Sequence, residues 1–489
     1  MGKSLALAAA AGVLAAAFVA AGTPNAPAAT RLAVRVDKAS EASQARAVQP
    51  GLMEFGTGMT SFPNTAECVQ GVGIACYSPS QLQAAYDEGP LFKRGIEGQG
   101  QTIVIVDSFG SPTIRSDLAV FDKQFKLPTP SLKIIAPDPE KIPKWNANNS
   151  DMTGWGSETT LDVEWSHAIA PKANILLVEV PVSETEGVHG FPQIVEAEDY
   201  VVTHHLGDVI SQSFGATEQT FPGGIAEIKK LRLRNSFIEA KDNNVTVLAS
   251  SGDAGATDLQ TDGVDYYTHP VTSWPASDPY VTAVGGTEIK QGGDHTYYSV
   301  AWNDTFNQGA AGTSASPVAS GGGRSVFFAR PSYQAGVESV VHGARGVPDI
   351  AMNAACSGTV LVYESFPVEG GSPGWYPICG TSEAAPEFAG LVALADQVAG
   401  HPLGLINQTL YNLSARKAPG IVDVTSGNNT VQFTQGTPAH TYTVQGWNAG
   451  PGYNLVDGVG TVNAAYLVYE LAHKPIPGAP VGHSTGAVR

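Results

Sequence analysis

Positive charge is scarce in this sequence of 489 residues. Lysine and arginine together number 27, against 45 aspartates and glutamates, and the formal net charge at pH 7 is −18. A surface of that sign repels phosphate backbones and anionic lipid headgroups at long range, so we expect no nucleic-acid partner. The hydrophobic content of 43% is ample for a packed core, which predicts a globular protein.

Long apolar runs are lacking after the N-terminus, so we expect no stable membrane association. The N-terminal stretch itself differs. Lys3 precedes an alanine-rich apolar run, and Ala26-Pro27-Ala28 has the small-x-small pattern of a cleavage site. We interpret residues 1–28 as a secretory signal, which makes the protein secreted and extracellular. The alternative is an uncleaved anchor, which the weak hydrophobicity of alanine disfavours.

Cysteine is also rare, with four residues at Cys68, Cys76, Cys356 and Cys379. An even number in an oxidising compartment indicates two disulfides. Because short loops close at the lowest entropic cost, we predict pairing of Cys68 with Cys76 and of Cys356 with Cys379. A nucleophilic role for Cys379 is disfavoured, since it has a partner and no histidine lies near it in sequence.

Short β-branched runs that end in Gly, Ser or Asp recur along the chain and predict buried strands. They lie at 101–108, 173–180, 208–214, 244–252 and 280–287. Helical patterns fall between them, notably at 194–205 and 224–244. This alternation predicts an α/β fold with a doubly wound, mainly parallel sheet and helices on both faces. Ligands of such sheets gather at the carboxyl ends of strands, where this chain has SQSFG (211–215) and SSGDAGA (250–256).

Two similar triplets, in GTSEAAP (380–386) and GTSASP (312–317), offer a candidate nucleophilic serine. After Ser382 comes an apolar run that predicts a helix, with proline tolerated in its first turn. Free N–H groups and the positive dipole end of a helix N-terminus favour developing negative charge. Ser314 precedes a glycine-rich loop instead. Ser382 is therefore the candidate, with a plain N-cap serine as the alternative. GHSTG (482–486) matches a nucleophile elbow but lacks its strand and helix.

A pair of acids, Glu158 and Asp162, lies four residues apart and so on one face of a predicted helix. An apolar stripe beside them should turn both carboxyls toward the protein body; its members are Leu161, Trp165 and Ala168. The alternative is an exposed acidic face. Ser157 is predicted to cap the start of this helix and Pro171 to follow its end. Glu164 is predicted to be solvated.

A serine nucleophile needs a base, for which histidine is the usual choice. Four histidines are candidates without a supporting pattern: His167, His204, His205 and His269. The carboxyl pair is better organised than any of them. A hydrolase with a histidine base therefore stays open as an alternative that would require a histidine close to Ser382.

Several motifs follow one another in a fixed order. They are the Glu158–Asp162 pair, SSGDAGA, WPASDPYVTAVGGT, GGGRSVFFARPSYQ, RGVPDIAMNA and GTSEAAP. Together they resemble the sedolisin family of serine-carboxyl peptidases, over about residues 77–468, which implies a subtilisin-like fold. We divide the chain into a signal (1–28), a leader or short prosegment (29–77), a sedolisin-like peptidase domain (78–468) and a Pro/Gly-rich, disordered tail (469–489). The leader is shorter than the folded prosegments of the family.

The resemblance implies a role for each of four residues. Ser382 attacks the scissile carbonyl and Glu158 takes its proton. Asp162 orients Glu158 and shares charge with it, and Asp253 of SSGDAGA faces the oxyanion. The alternative for Asp253 is a loop-capping aspartate in a glycine-rich turn.

The SQSFG segment is expected to line the substrate cleft through Ser213, Phe214 and Gly215, by offering backbone groups to an extended peptide. The expected partners are protein or peptide substrates, and the expected state is a monomer. The function predicted is thus a secreted serine-carboxyl peptidase. A catalytically silent relative that serves as a binding or surface protein is the alternative, which the intact set of four residues disfavours.

We expect this chemistry to operate at acidic pH, because the reference pKa values are about 6.5 for histidine and about 4.3 for glutamate. Near pH ~4 a histidine base is protonated, whereas a glutamate is still partly ionised. Two close carboxyls should share one proton, and Asp253 must stay protonated in order to donate to an oxyanion. We therefore predict activity that declines toward neutral pH.

The resemblance also implies a calcium ion near the C-terminus. The matching groups are Asp423, the carbonyls of Val424, Gly450 and Gly452, and the side chain of Asn454. Calcium prefers such oxygen ligands. The family usually has aspartate at the last position, so asparagine removes a negative charge and predicts a weaker site. A purely structural turn is the alternative.

Overall fold

The structure is a computed structural model that describes residues 58–182, 190–293, 296–306, 316–367 and 371–477. The predicted signal at 1–28, Ser314 of the second triplet and GHSTG at 482–486 lie outside the described residues. Among the helices of the described part, none has the length and apolar character needed to span a membrane.

The described residues form twelve α-helices and nineteen β-strands. The helices are α1 (Thr65–Val72), α2 (Pro79–Ala85), α3 (Gly89–Phe92), α4 (Ile114–Phe125), α5 (Ser150–Ile169), α6 (Phe191–Thr203), α7 (Ile225–Lys230), α8 (Asn235–Asp242), α9 (Glu338–Val341), α10 (Thr381–Ala399), α11 (Asn407–Ala415) and α12 (Ala464–Leu471). The strands are β1 (Ala75–Tyr77), β2 (Thr102–Ser108), β3 (Leu132–Ile135), β4 (Asn174–Val180), β5 (Val209–Gln212), β6 (Ala216–Thr217), β7 (Thr246–Ser250), β8 (Ser273–Trp274), β9 (Thr282–Gln291), β10 (Tyr297–Ala301), β11 (Gly323–Ala329), β12 (Ala344–Val347), β13 (Ile350–Asn353), β14 (Gly358–Glu364), β15 (Gly374–Ile378), β16 (Ile421–Val422), β17 (Val431–Gln435), β18 (His440–Val444) and β19 (Thr461–Val462).

An eight-stranded sheet forms the centre of the fold, in the order β10-β9-β7-β5-β2-β4-β3, with β13 also paired to β9. Every pair is parallel except β10 with β9. All five predicted strands belong to this sheet. The doubly wound, mainly parallel α/β architecture predicted from the sequence is confirmed.

Side chains of β2 alternate between two apolar layers, one on each face of the sheet. Ile103 and Ile105 join the core that contains α5 and α10, whereas Val104 and Val106 join the core that contains α6 and α8. This follows from the two-residue period of a strand. A strand buried on both faces must be apolar throughout, as the run TIVIV is.

Helices α5 and α10 pack closely on each other beside the sheet. A Cβ atom added to Gly390 of α10 would lie 2.7 Å from Cβ of Ile169 in α5. Glycine is therefore required at this crossing, since any side chain would push the two helices apart. Both helices are almost entirely buried, and the candidate residues Glu158, Asp162 and Ser382 lie on them.

Two helix predictions need correction. The predicted helix 224–244 is two helices, α7 and α8, because Arg232 adopts a left-handed conformation (φ 55°) and Leu233 N donates to Ile228 O, which closes α7. Helix α5 starts at Ser150 rather than at Ser157. Its cap is Asn149, whose side chain accepts from Met152 N at 3.1 Å, so Ser157 lies in the second turn.

The two ends of the predicted peptidase domain pack into the fold. Strand β1, within the predicted leader, pairs in parallel with β14. Helix α12 continues to Leu471, whose side chain is buried, so a disordered tail does not begin at residue 469. Residues 478–489 lie outside the described residues, and where the chain is processed stays a prediction.

Both predicted disulfides are confirmed. Cys68 pairs with Cys76 and Cys356 pairs with Cys379, at sequence separations of 8 and 23. The first links α1 to β1. The second lies directly before Gly380 and ties the chain that enters α10 to the segment after β13, so it restrains the position at which α10 begins.

A cluster of buried acids lies along α10. Glu383 and Glu387 of α10 and Glu88 are all fully buried. Asn353 Nδ2 donates to Glu383 Oε1 at 2.7 Å, and the Tyr86 hydroxyl donates to Glu387 Oε2 at 3.4 Å. Burial raises the pKa of all three carboxyls well above the usual value, and that of Glu387 is raised further by Glu383 and Glu88.

We predict that this cluster makes the fold less stable as pH rises. The folded-state pKa lies above the unfolded value, so the stabilisation is complete in acid and is lost as pH rises above about 4.3. A Glu383→Gln/Glu387→Gln variant should therefore lose less thermal stability between pH ~4 and ~7 than the parent, with a difference of about 5 °C in the shift of Tm. The measurement is thermal unfolding followed by circular dichroism.

The comparison is made in a Ser382→Ala background, which removes the predicted nucleophile and so prevents self-digestion. Glu239→Gln on α8 is the matched control, because Glu239 is exposed and its loss should leave the pH dependence of Tm unchanged. Equal Tm shifts for the double variant and this control would contradict the prediction.

Candidate active site

The carboxyl ends of three neighbouring strands place polar residues at one edge of the central sheet. Asp107 lies at the end of β2, Ser213 follows β5 and Asp253 follows β7. Because these strands are parallel and adjacent, their ends meet at the same edge. Ser382, in the first turn of α10, is brought to this edge by its contact with Ser213.

Glu158 and Asp162 lie on the buried side of α5, as predicted. Their exposed fractions are 2% and 0%. Ser213 Oγ donates to Asp162 Oδ1 at 2.9 Å. Burial raises the pKa of both carboxyls well above the usual value. The charges of Asp162 and Asp107 raise the pKa of Glu158 further, and the charge of Asp107 raises that of Asp162. The pair therefore retains a proton above the pH at which free carboxyls lose theirs.

The Ser382 hydroxyl is buried beside Glu158. It lies near enough to Glu158 to oppose the rise in the pKa of this carboxyl. In the described part of the chain, Ser382 Oγ and both carboxyl oxygens of Glu158 nevertheless have no hydrogen-bond partner of full geometry. Such loose contacts are common in catalytic sites without substrate, where the bonds tighten only when the reactant arrives.

Pro386 lies in the second turn of α10, not in the first turn as predicted, because the helix begins at Thr381. Proline has no N–H, so it cannot donate to the carbonyl four residues earlier, which is that of Ser382. Ser213 Oγ lies 3.4 Å from this carbonyl oxygen. The same hydroxyl thus contacts the Ser382 backbone and Asp162, and links the two helices.

Asp253 holds the N-terminus of α10. Its Oδ1 accepts from Thr381 N at 2.6 Å and from Thr381 Oγ1 at 2.7 Å. Gly380 has φ 135°, a backbone conformation that other residues rarely adopt, and a Cβ there would lie 2.6 Å from Asp253 Oδ2. Glycine is therefore needed both for this backbone conformation and for the close contact between the backbone and the Asp253 carboxyl. Asp253 thus caps the N-terminus of α10, which differs from the loop cap in its own glycine-rich turn that was the alternative, and the contact positions its carboxyl within one residue of Ser382.

Asp107 is a member of the site that the sequence analysis missed. It is buried, and burial raises its pKa to about 7, while the nearby Thr159 hydroxyl opposes the shift and the charge of Glu179 adds to it. Its charge raises the pKa of both Glu158 and Asp162. An aspartate at the end of a run as apolar as TIVIV was the available signal, because such strand ends carry ligand-binding groups.

Glu164 is buried rather than solvated. It accepts from Tyr363 N at 3.0 Å, so it binds the edge of β14. The prediction was wrong because α5 is covered on all sides, so no face of this helix reaches water.

Three of the four candidate histidines contact other residues, and His205 is exposed at the end of α6. His167 Nε2 lies 3.1 Å from Asp122 Oδ1 in the core. His204 is exposed and stacks on Tyr200, and His269 is exposed beside Tyr267. No recorded contact of a described histidine involves Ser382.

The SQSFG segment turns its side chains inward. Phe214 is buried against Trp155 and Phe191, and a Cβ on Gly215 would lie 3.1 Å from Trp274 O. The side chains of this segment are therefore unavailable to a ligand, and its role in binding a peptide stays a prediction.

The five residues predicted to bind calcium lie in two segments that contact each other. Gly452 N donates to Asp423 Oδ1 at 3.1 Å, and Asn454 Nδ2 donates to Gly450 O at 3.4 Å. Within the described ranges there is no group of three or more His, Cys, Asp or Glu side chains suited to hold a metal ion.

The chain is similar to several known proteins. Residues 146–447 match the subtilase family. Kumamolisin of Bacillus sp. (strain MN-32) is 32% identical over 402 residues, which cover 80% of this chain and 63% of that protein. Sedolisin of Pseudomonas sp. (strain 101) is 30% identical over 284 residues, which cover 58% of this chain and 44% of that protein.

A solved structure of Pseudomonas sedolisin, a serine-carboxyl proteinase complexed with two molecules of pseudo-iodotyrostatin, has the same fold. Its TM-score is 0.61 at 26% identity, and the match covers 81% of this chain and 97% of that chain. The present chain spans less than two thirds of the length of the two curated relatives. Motif order, fold and relatives agree, and the chain belongs to the subtilase family and, within it, to the sedolisins.

Proposed function

We propose that the protein is a secreted serine-carboxyl peptidase that hydrolyses peptide bonds in proteins at acidic pH. The observation that carries this proposal is the burial of the Ser382 hydroxyl beside the neighbouring carboxyls of Glu158 and Asp162. A serine hydroxyl is a weak nucleophile unless a base lies beside it. Glu158 is the acceptor that this site supplies.

In the first step, Ser382 Oγ bonds to the scissile carbonyl carbon while its proton passes to Glu158. The carbonyl π bond opens and leaves an oxyanion. When this intermediate collapses, the C–N bond breaks and the leaving nitrogen takes the proton from Glu158. Water then repeats the sequence on the acyl-enzyme, with Glu158 as base, and releases the second product.

Asp162 and Ser213 position the base. Ser213 Oγ donates to Asp162 Oδ1, which fixes one oxygen of that carboxyl. The other oxygen, Oδ2, has no partner among the described residues and is available to share a proton with Glu158. A shared proton lets Glu158 ionise next to a neutral Asp162, which avoids two adjacent negative charges.

Asp253 is proposed as the oxyanion donor. Its Oδ1 is fixed by the two hydrogen bonds from Thr381, which orients the carboxyl at the N-terminus of α10. Donation to the oxyanion requires Asp253 to be protonated, because a carboxylate there would repel the developing charge. The reaction should therefore proceed only at acidic pH.

We predict that Ser382→Ala lowers kcat/KM for a peptide substrate by at least about four orders of magnitude and Glu158→Gln by about two to four. The amide of glutamine cannot accept the proton, although it occupies the same space. Hydrolysis of a fluorogenic peptide at acid pH measures both.

Two matched controls accompany these variants. Glu164→Gln makes the same change six residues along α5, where the amide oxygen still accepts from Tyr363 N. His167→Gln removes the buried histidine of this helix. Both should keep most of their activity, and a collapse in His167→Gln with full activity in Glu158→Gln would favour the histidine mechanism.

We predict that kcat/KM falls as pH rises toward neutral. The raised pKa values keep the shared proton in place above the ordinary carboxyl range, but a further rise in pH removes it. The oxyanion donation proposed for Asp253 requires acid as well. A pH series from ~3 to ~8 measures this decline, and samples held at pH ~7 and returned to acid separate it from unfolding. A profile that stays flat through pH ~8 would contradict the assignment.

The variant Asp107→Asn tests how Asp107, the acid of the site that was not predicted from the sequence, affects the pH dependence of activity. With a pKa of about 7, Asp107 is uncharged in acid, so the neutral amide should leave kcat/KM at pH ~4 within about threefold. Above the pKa of Asp107 the parent gains a negative charge that raises the pKa of Glu158 and Asp162 and so helps the pair to keep its shared proton. The variant lacks this charge and should therefore lose activity at lower pH than the parent. Abolished activity at pH ~4 would instead mean that the Asp107 proton takes part in the reaction.

A further inference from the structure

The predicted calcium loop is closed by its own hydrogen bonds. Asn454 Oδ1 accepts from Val456 N and from Asp457 N, both at 2.9 Å. Asn454 and Gly458 also exchange two backbone hydrogen bonds, at 2.9 and 3.1 Å. The turn from Asn454 to Gly458 is therefore held by four hydrogen bonds that need no ion.

These contacts fix the orientation of the Asn454 amide. Only its oxygen can accept the two backbone N–H groups, so the NH₂ group must point the other way. There it donates to Gly450 O at 3.4 Å. Gly450 O is one of the carbonyls predicted to bind calcium. An amide NH₂ has no lone pair to offer a cation, so a donor lies where the ion would need an acceptor.

The remaining charge at the loop is small. Asp423 is the one predicted ligand with a carboxylate; it is exposed, and Gly452 N already donates to its Oδ1. Asp457 contributes its backbone N–H to the turn, and its own carboxyl oxygens are buried without a hydrogen-bond partner among the described residues. Calcium affinity depends on the number of charged ligands and on the rigidity of their arrangement, and among the five predicted ligands only the exposed Asp423 supplies a carboxylate.

We propose that the Asn454 amide takes the structural place of calcium, so that this loop folds and stays closed without binding the ion. With aspartate at this position, one carboxyl oxygen would cap the turn and the other would face Gly450 O. Two acceptors would then meet with nothing between them, and a cation would be needed to bridge them. The NH₂ group of asparagine bridges the same gap by donating a hydrogen bond.

The test compares the thermal stability and the metal content of the Ser382→Ala chain at pH ~5.5, in EDTA and in ~5 mM CaCl₂. We expect Tm to differ by less than about 1 °C, and calcium after desalting to be well below one ion per chain. A rise of about 5 °C or more in calcium that Asp423→Asn abolishes would overturn the proposal. This readout is independent of peptidase activity, so it stands or falls apart from the proposed function.

Asn454→Asp in the same background tests the replacement directly. Its Tm should be below that of the parent in EDTA and should recover in ~5 mM CaCl₂, because the ion now bridges the two oxygens. Asp423→Asn added to this variant should remove the recovery, although its amide oxygen can still accept from Gly452 N. If Asn454→Asp has the parent's Tm in EDTA and no response to calcium, the amide is not acting in place of an ion.

Discussion

Two carboxyl groups buried one helical turn apart on α5 constrain the rest of the molecule. An ionised carboxylate without a partner costs far more to bury than the net stability of a typical domain. No ion pair formed by the described residues involves Glu158 or Asp162. The pair must therefore carry protons, and its neighbours must hold it in a dry, fixed setting. The crossing of α5 with α10 at Gly390 and the Ser213 hydroxyl provide that setting.

The same physical constraint recurs in the core. Glu383 and Glu387 are buried beside hydrogen-bond donors, and Glu88 is buried with them. None of the three forms an ion pair with another described residue. The carboxyl of Asp349 is buried in a different way, since it forms a fully buried ion pair with Arg345. This pair joins β12 to the start of β13 and does not require acid. Acidic conditions therefore favour the fold and the proposed chemistry together, because both need protonated carboxyls in the same dry interior.

Much of the architecture was predictable from local patterns. β-branched runs gave the five strands, short separations gave both disulfides, and four-residue spacing gave the Glu158–Asp162 pair. These signals succeed because each depends on residues close in sequence. The capping of α10 by Asp253 was not predicted, since it depends on a contact with Thr381 across 128 residues.

The remaining features depend on contacts that no local pattern records. Glu164 seemed solvated because its partner, the Tyr363 backbone, is 199 residues away. Asp107 joins the site only when the sheet brings the ends of β2 and β5 together. The calcium prediction treated Asn454 as a weak oxygen ligand, whereas its two backbone donors decide which way the amide faces. In each case a distant or backbone group determines what the side chain does.

The most direct test of the central claim is a crystal structure at acid pH with a peptide aldehyde bound to the protein. The account predicts a covalent bond from Ser382 Oγ to the aldehyde carbon. It also predicts Glu158 within about 2.5–3.0 Å of that oxygen and Asp253 at a similar distance from the hemiacetal oxygen. A histidine nitrogen at hydrogen-bond distance from Ser382 Oγ, with Glu158 remote, would contradict it.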